Sequence, residues 1–336
     1  MVTFTKVKNS IDSLLKNFPK RNEDIIRSRF GLGKEKNTLE KIGKVYGITR
    51  ERVRQIENKN LSDIRHSSKF HLLQKEAGKI EEYLKGLGGL KREDILIRDL
   101  SPEEESDGYV LFLLTITDLF DYSPSSDVFY PFWMVDRKSP DVAQFINDSI
   151  KSILEKERSL LTEEEIINLV LSSISSKIKI KIQPVHIISF IEISKYIELN
   201  PFGRYGLVFW PEVTPKTIRD KAYLVLYEKK QPMHFTEIKN SIQEILGESI
   251  KENTLHNELI RDSNFVLIGR GIYALKNWGY KKGILRDVIG SILKEGGPLT
   301  KEELYQEIKK QRMVKDSTIT LNIYSFKKDK DGRYYI

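Results

Sequence analysis

The stretch Thr38 to His66, TLEKIGKVYGITRERVRQIENKNLSDIRH, leaves its part of the chain few ways to fold. Leu39, Ile42 and Val45 recur at helical spacing, which predicts a helix over about Thr38 to Tyr46 with those three on its buried face. Gly47 comes next, the residue best suited to a turn that needs φ > 0. Thr49 is placed to cap a second helix, because its hydroxyl can accept an orphan backbone N–H. That second helix has Val53, Ile56, Leu61 and Ile64 for its inner face and Arg50, Glu51, Arg54 and Gln55 for its outer one. Arginine suits guanine, glutamine suits adenine and glutamate suits the cytosine amine. The layout is that of a helix-turn-helix whose second helix enters the major groove. The plainer alternative is a helical hairpin with a solvated charged face, but turn glycine, apolar spacing and readout residues all agree on the first reading.

Three segments carry a resemblance. RFGLG (Arg29 to Gly33), TLEKIG (Thr38 to Gly43) and ITRERVRQIE (Ile48 to Glu57) resemble region 4 of the bacterial sigma-70 family, over about Pro19 to Lys69. The resemblance implies promoter recognition. Arg50, Glu51 and Gln55, with Arg54 beside them, would read bases, and Arg29, Thr38, Arg52 and Lys59 would hold or flank the DNA backbone. It also implies a basic run after the recognition helix that meets activators and polymerase. Lys59 and Arg65 fit that run, whereas Ser62 and Asp63 depart from it. Upstream, IDSLLKNF (Ile11 to Phe18) and EDIIRSRF (Glu23 to Phe30) read as helices broken at Pro19. Their Leu14, Leu15, Ile25 and Ile26 are either core or, by the resemblance, a seat for the polymerase β-flap. No aromatic-rich segment like the family's promoter-melting region precedes the motif, so a complete sigma factor is not expected.

Charge is concentrated in the same region. Met1 to Gly78 has 18 Lys+Arg against 9 Asp+Glu, and the remainder has 38 against 39. Such an excess at one end is the footprint of a phosphate-backbone binder. The next segment, Lys79 to Asp136, has 5 basic and 13 acidic residues and is poorly suited to lie along DNA. Its SPEEESDG (Ser101 to Gly108) reads as a solvated loop, either a linker, a segment that repels nucleic acid and orients the units, or a contact for a basic partner.

Beyond Gly78 a pattern recurs four times. GGLKREDI, SLLTEEEI, QPMHFTEI and GPLTKEEL align without gaps, so that Leu90, Leu161, Met233 and Leu299 are each followed five residues later by Ile95, Ile166, Ile238 or Leu304. An amphipathic helix precedes each anchor, and Thr162 with Glu165 and Thr300 with Glu303 form capping boxes after two of them. Each unit ends in an aromatic, turn-containing stretch (DVFYPFW, FGRYGLVFW, VLIGRGIYAL, KDGRYYI) that suits a β-hairpin. Helices with a hairpin after them make a winged helix. The third unit, through TIRDKAYLVLYEKKQPMHFTEI and FVLIGRGIYAL, resembles the HARE-HTH domain of restriction enzymes, chromatin proteins and the polymerase delta subunit.

The expected fold is therefore mainly α with small β-hairpins: a sigma region 4-like helix-turn-helix over 1–78, an acidic winged-helix-like unit over 79–136, and further units over 137–213, 214–283 (HARE-HTH-like) and 284–336. Arg270 and Arg333 are the candidate wing contacts to DNA. No nucleophile–base pair, phosphate loop or metal-ligand spacing is found, so neither an enzyme nor a cofactor or metal is expected. With no cysteine, no signal peptide and no membrane-length apolar run, the expectation is a cytoplasmic, nucleoid-associated protein. The expected partners are double-stranded DNA and, by the resemblance, RNA polymerase; oligomeric state is left open. Two functions fit: a transcription factor reading promoter-like DNA, or a DNA-binding adaptor of a restriction, defence or chromosome-organising system.

Overall fold

The computed structural model describes residues 4–101, 106–174 and 182–336. These divide into two compact units, Met1–Glu198 and Leu199–Ile336.

The first unit opens with four helices: α1 (Phe4–Leu15), α2 (Lys20–Phe30), α3 (Leu39–Tyr46) and α4 (Arg50–Arg65). Pro19, whose fixed φ starts a helix well but cannot continue one, caps α2. Ile25, Ile42 and Val53 form a small core between α2, α3 and α4. Next in the chain are α5 (Phe70–Gly86), β1 (Leu90–Arg92), α6 (Glu93–Leu100), α7 (Asp107–Ile116), β2 (Asp121–Ser123), β3 (Phe132–Met134), α8 (Ser139–Glu157), α9 (Glu163–Ile174) and α10 (Pro184–Glu192), with strand β4 (Ile197–Leu199) at the unit's end. The expected acidic loop lies partly in 102–105, outside the described residues.

One core joins the helix-turn-helix region to the module after it. Ile11, Leu14, Leu15, Ile26, Phe30, Leu61 and Ile64 pack in the same cluster as Leu73, Ile80, Leu96, Tyr109, Phe112 and Leu113. Helix α5 runs unbroken through Gly78. Gly108, near the start of α7, sits so close to the end of α2 that a Cβ on it would lie 2.5 Å from both the Phe30 and the Gly31 carbonyl oxygens. Phe30 and Phe112 then meet edge to face with centroids 5.1 Å apart. A polar tie crosses the same seam: Asp12, paired with Arg27 at 2.8 Å, accepts from the Tyr109 hydroxyl at 3.3 Å.

The second unit contains β5 (Tyr205–Leu207), α11 (Ile218–Lys229), β6 (Met233–His234), α12 (Phe235–Leu246), α13 (Glu252–Arg261), β7 (Phe265–Gly269), β8 (Ile272–Leu275), α14 (Leu285–Gly296), α15 (Lys301–Gln311), α16 (Asp316–Ile323), β9 (Lys327–Lys328) and β10 (Tyr334–Tyr335). An order of helix, anchor, helix, helix and hairpin recurs. β1 pairs antiparallel with β3 through Leu90 and Met134, in a sheet ordered β1-β3-β2. β6 pairs with β8 through Met233 and Tyr273, in a sheet ordered β6-β8-β7. Leu299 bridges Tyr334 beside the β9–β10 pair. α8, Leu161, α9 and α10 keep the same helical order. Ile166, Ile238 and Leu304 are buried as the spacing required.

Ile95 is the exception: it is half-buried, and Leu96 takes its place in the core. The reason is local. In the other three repeats the helix begins two residues after the anchor, at Glu163, Phe235 and Lys301, whereas β1 is one residue longer and α6 begins at Glu93. The fourth helical position is inward each time, so the gapless alignment is off by one in the first repeat.

Candidate nucleic-acid interface

Local chemistry builds the α3–α4 pair. The Thr38 hydroxyl accepts from the Lys41 N–H at 3.2 Å and that of Thr49 accepts from the Arg52 N–H at 3.1 Å, so each helix starts on a side-chain cap. Gly47 ends α3 at φ 63°, a left-handed conformation that costs glycine nothing and lets α4 leave at an angle. Val45 is a correction to the expected buried face, being 72% exposed. Leu39, Ile42 and Tyr46, at i, i+3 and i+7, make the inward stripe, which leaves Val45 a residue out of phase with it.

A brace not evident from spacing holds α3 on α2. The Tyr46 hydroxyl donates to the Asp24 carboxylate, which also accepts from Lys34. The Lys34 and Tyr46 hydrogen bonds hold Asp24 below its ordinary 3.8. Burial, reinforced by Asp24, pushes the Tyr46 phenol up to about 12. A sequence signal exists only after the fact, as an Asp on one helix and a Tyr on another.

Val53 points inward, and the opposite face of α4 presents Arg50, Glu51, Arg54 and Gln55 to solvent together over its first turn and a half. These side chains are already engaged among themselves and with their neighbour. Arg54 donates twice to the Glu51 carboxylate, at 2.9 and 2.7 Å, and Arg52 donates to Gln55 Oε1 at 3.1 Å. The hydrogen bond from Arg54 keeps the Glu51 carboxyl below its usual range. Exposed pairs of this kind are weak in water, so a base edge or a phosphate replaces them at small cost.

The residues expected at the DNA backbone are placed less uniformly. Lys59 is exposed and Thr38 stands at the N-terminus of α3, but Arg29 donates to Glu57 at 3.3 Å and thereby ties α2 to α4. Arg65, a candidate for the basic run, turns away: it donates to the Ile116 and Thr115 carbonyls at 2.9 and 3.3 Å, at the end of α7. Leu14, Leu15, Ile25 and Ile26 are all buried, which answers the choice between core and docking seat in favour of core. Arg270 and Arg333 belong to the second unit, in the turns of the β7–β8 and β9–β10 hairpins.

Among the described residues no group of His, Asp and Glu side chains could hold a metal ion. Among those residues, too, no helix is long and apolar enough to cross a membrane.

Caps, turn and open outer face together define a helix-turn-helix DNA-binding domain of the kind whose second helix lies in the major groove. Comparison with known families narrows the class: residues 14–66 match the model of Sigma-70, region 4. Over 69 residues the chain is 45% identical to RNA polymerase sigma factor SigA from Bacillus sp, which is 20% of this chain and 18% of that protein. The chain thus spans less than a fifth of the length of that relative. The N-terminal part is a transcription-related DNA-binding domain of the sigma region 4 type.

Proposed function

We propose that the chain is a non-catalytic, sequence-specific DNA-binding protein acting in transcription. In this reading α4 enters the major groove of promoter-like DNA. Arg50, Glu51, Arg54 and Gln55 touch base edges, and Arg52, Lys59 and the capped N-terminus of α3 at Thr38 meet phosphates. The observation that carries it is the fully open outer face of α4, in a domain whose apolar side is closed by α5 and α7. The four recurring helix–hairpin modules are winged helices that this domain tethers to DNA, and RNA polymerase, DNA or a regulator is what they contact. The name of the similar protein supports polymerase as the partner.

A second reading is supported by the closed apolar side. Because Leu14, Leu15 and Ile26 are spent on the shared core, a partner seated on these helices needs other residues. An adaptor that recruits a non-transcriptional partner through its repeats fits that arrangement too. Retention of purified RNA polymerase on the immobilised chain, with and without promoter DNA, separates the two. Retention is expected in the transcription reading; a chain that never retains polymerase while still binding DNA overturns it.

A further inference from the structure

The four modules differ in what happens to their third helix. α7 is buried on nearly all sides, through Tyr109, Val110, Phe112, Leu113 and Leu114. α10 lies against β1, where the Ser189 hydroxyl donates to the Leu90 carbonyl at 2.9 Å. α13 shows Glu252 and Glu258 on its accessible surface, paired with Lys239 at 4.0 Å and Arg219 at 3.3 Å. On α16 the outer face is uncovered and carries hydroxyl and apolar side chains: Ser317, Thr318, Leu321, Tyr324 and Ser325 are exposed, with Leu321 at 74% and Tyr324 at 68%. Spacings of i, i+4 and i+7 put Ser317, Leu321 and Tyr324 on one stripe.

Charge around that stripe is predominantly positive. Lys315 precedes α16, and Lys327, Lys328, Lys330 and Arg333 lie on the hairpin after it; these cations reach solvent, and among the described residues none forms a salt bridge with a carboxylate. Two of the three nearby acids are held locally, and the third, Asp331, is exposed at the hairpin turn. Asp316 pairs with Lys309 at 2.9 Å. Asp329 accepts the backbone N–H groups of Asp331 and Arg333 at 3.0 and 2.8 Å. The preceding module adds a further cation. Gly269 and Met313 form a parallel bridge, with the Met313 N–H donating to the Ile268 carbonyl at 2.7 Å, which brings Arg270 near the start of α16.

We propose that α16 and the β9–β10 hairpin, flanked by Arg270, form a second duplex-DNA face, distinct from that of α4. Its chemistry fits a duplex: hydroxyls of Ser317, Thr318 and Ser325 for phosphate oxygens, Leu321 for a thymine methyl, and exposed cations on both flanks for the backbone. The proposal rests on the reading of the chain as a DNA binder and assigns a partner to its last module.

The test uses the full chain and a random-sequence duplex of about 40 base pairs, long enough for two contacts separated by several turns. Replacing Lys315, Lys327, Lys328 and Lys330 together by Ala, at surface positions that leave the fold intact, removes up to four phosphate contacts. The slope of log K against log salt should become shallower by up to about 3.6, at about 0.9 per contact. Leu321→Glu, which adds repulsion on the stripe itself, should weaken binding as well. An unchanged slope and affinity in both variants overturns the proposal. So does displacement of DNA from this face by polyglutamate as effectively as by competitor duplex, which would mark a surface for acidic protein. Arg50→Ala with Gln55→Ala, titrated in parallel on a duplex selected by the full chain, reports on α4 alone, so failure of the second face and failure of the first are read separately.

Discussion

Gly108→Ala sets two physical effects against each other. Gly108 lies within α7 with ordinary helical φ, so on propensity alone alanine should stabilise by up to about 1 kcal/mol. The packing predicts the opposite. The new Cβ would sit 2.5 Å from the Phe30 and Gly31 carbonyl oxygens, and these are backbone atoms that no rotamer change can move. Ordinary C···O approaches are about 3.3–3.6 Å, so α7 and α2 must part by roughly 1 Å. That opens the seat of Tyr109, Phe112 and Leu113 against Ile26 and Phe30. Overpacking of this size costs about 1–3 kcal/mol, more than the helix gains. In a unit of this length each kcal/mol moves the midpoint by about 2–4 °C, so thermal unfolding of the full chain should show a fall of roughly 2–10 °C in the first unit's transition. A midpoint that is unchanged or higher would refute the shared core between the helix-turn-helix and the module after it.

Asp24→Asn tests the α2–α3 brace. The folded Asp24 carboxyl lies below its ordinary 3.8, so its contribution is present above that value and is lost as pH falls through the folded pKa. The stability gap between wild type and variant, followed by urea unfolding, should be widest near neutral pH and close under acid. For Tyr46, raised from 10.0 to about 12, the contribution holds below pH 10 and is lost as pH rises through 12; Tyr46→Phe should remove that alkaline dependence. Arg312, 5% exposed, donates to the Lys281, Gly283 and Gln311 carbonyls at 2.6, 3.0 and 2.8 Å. Arg312→Met strands those acceptors and should cost about 1–3 kcal/mol in the unfolding of the second unit.

The legible part of the sequence was local. Gly47 and Thr49 act within four residues of themselves, so their roles follow from propensity and capping and appear in the structure as expected, while Thr38, expected as the first helical residue, is the N-cap of α3. Val45 went astray because an eight-residue helix has room for one inward stripe, and Tyr46, an aromatic with a polar tip, claimed its last place. The Ile95 and Leu96 exchange turned on a single extra strand residue, which hydrophobic spacing cannot register. Arg29 and Arg65 looked like free cations; their partners Glu57 and the α7 carbonyls lie 28 and about 50 residues away. Long-range closure of this kind also hid the shared core. Gly108 and Gly31 are far apart in sequence, and only the assembled helices bring their backbones into contact.

Base reading by α4 is tested most directly by one comparison. A duplex selected by the full chain from random sequences, and an unselected duplex of equal length, are titrated with wild type, Arg50→Ala and Gln55→Ala. Each substitution should lose about 1–3 kcal/mol on the selected duplex and relax the preference at one base position, with little change on the unselected one. Equal losses on both duplexes would mean that α4 holds phosphates without reading bases, and would contradict its assignment as a recognition helix.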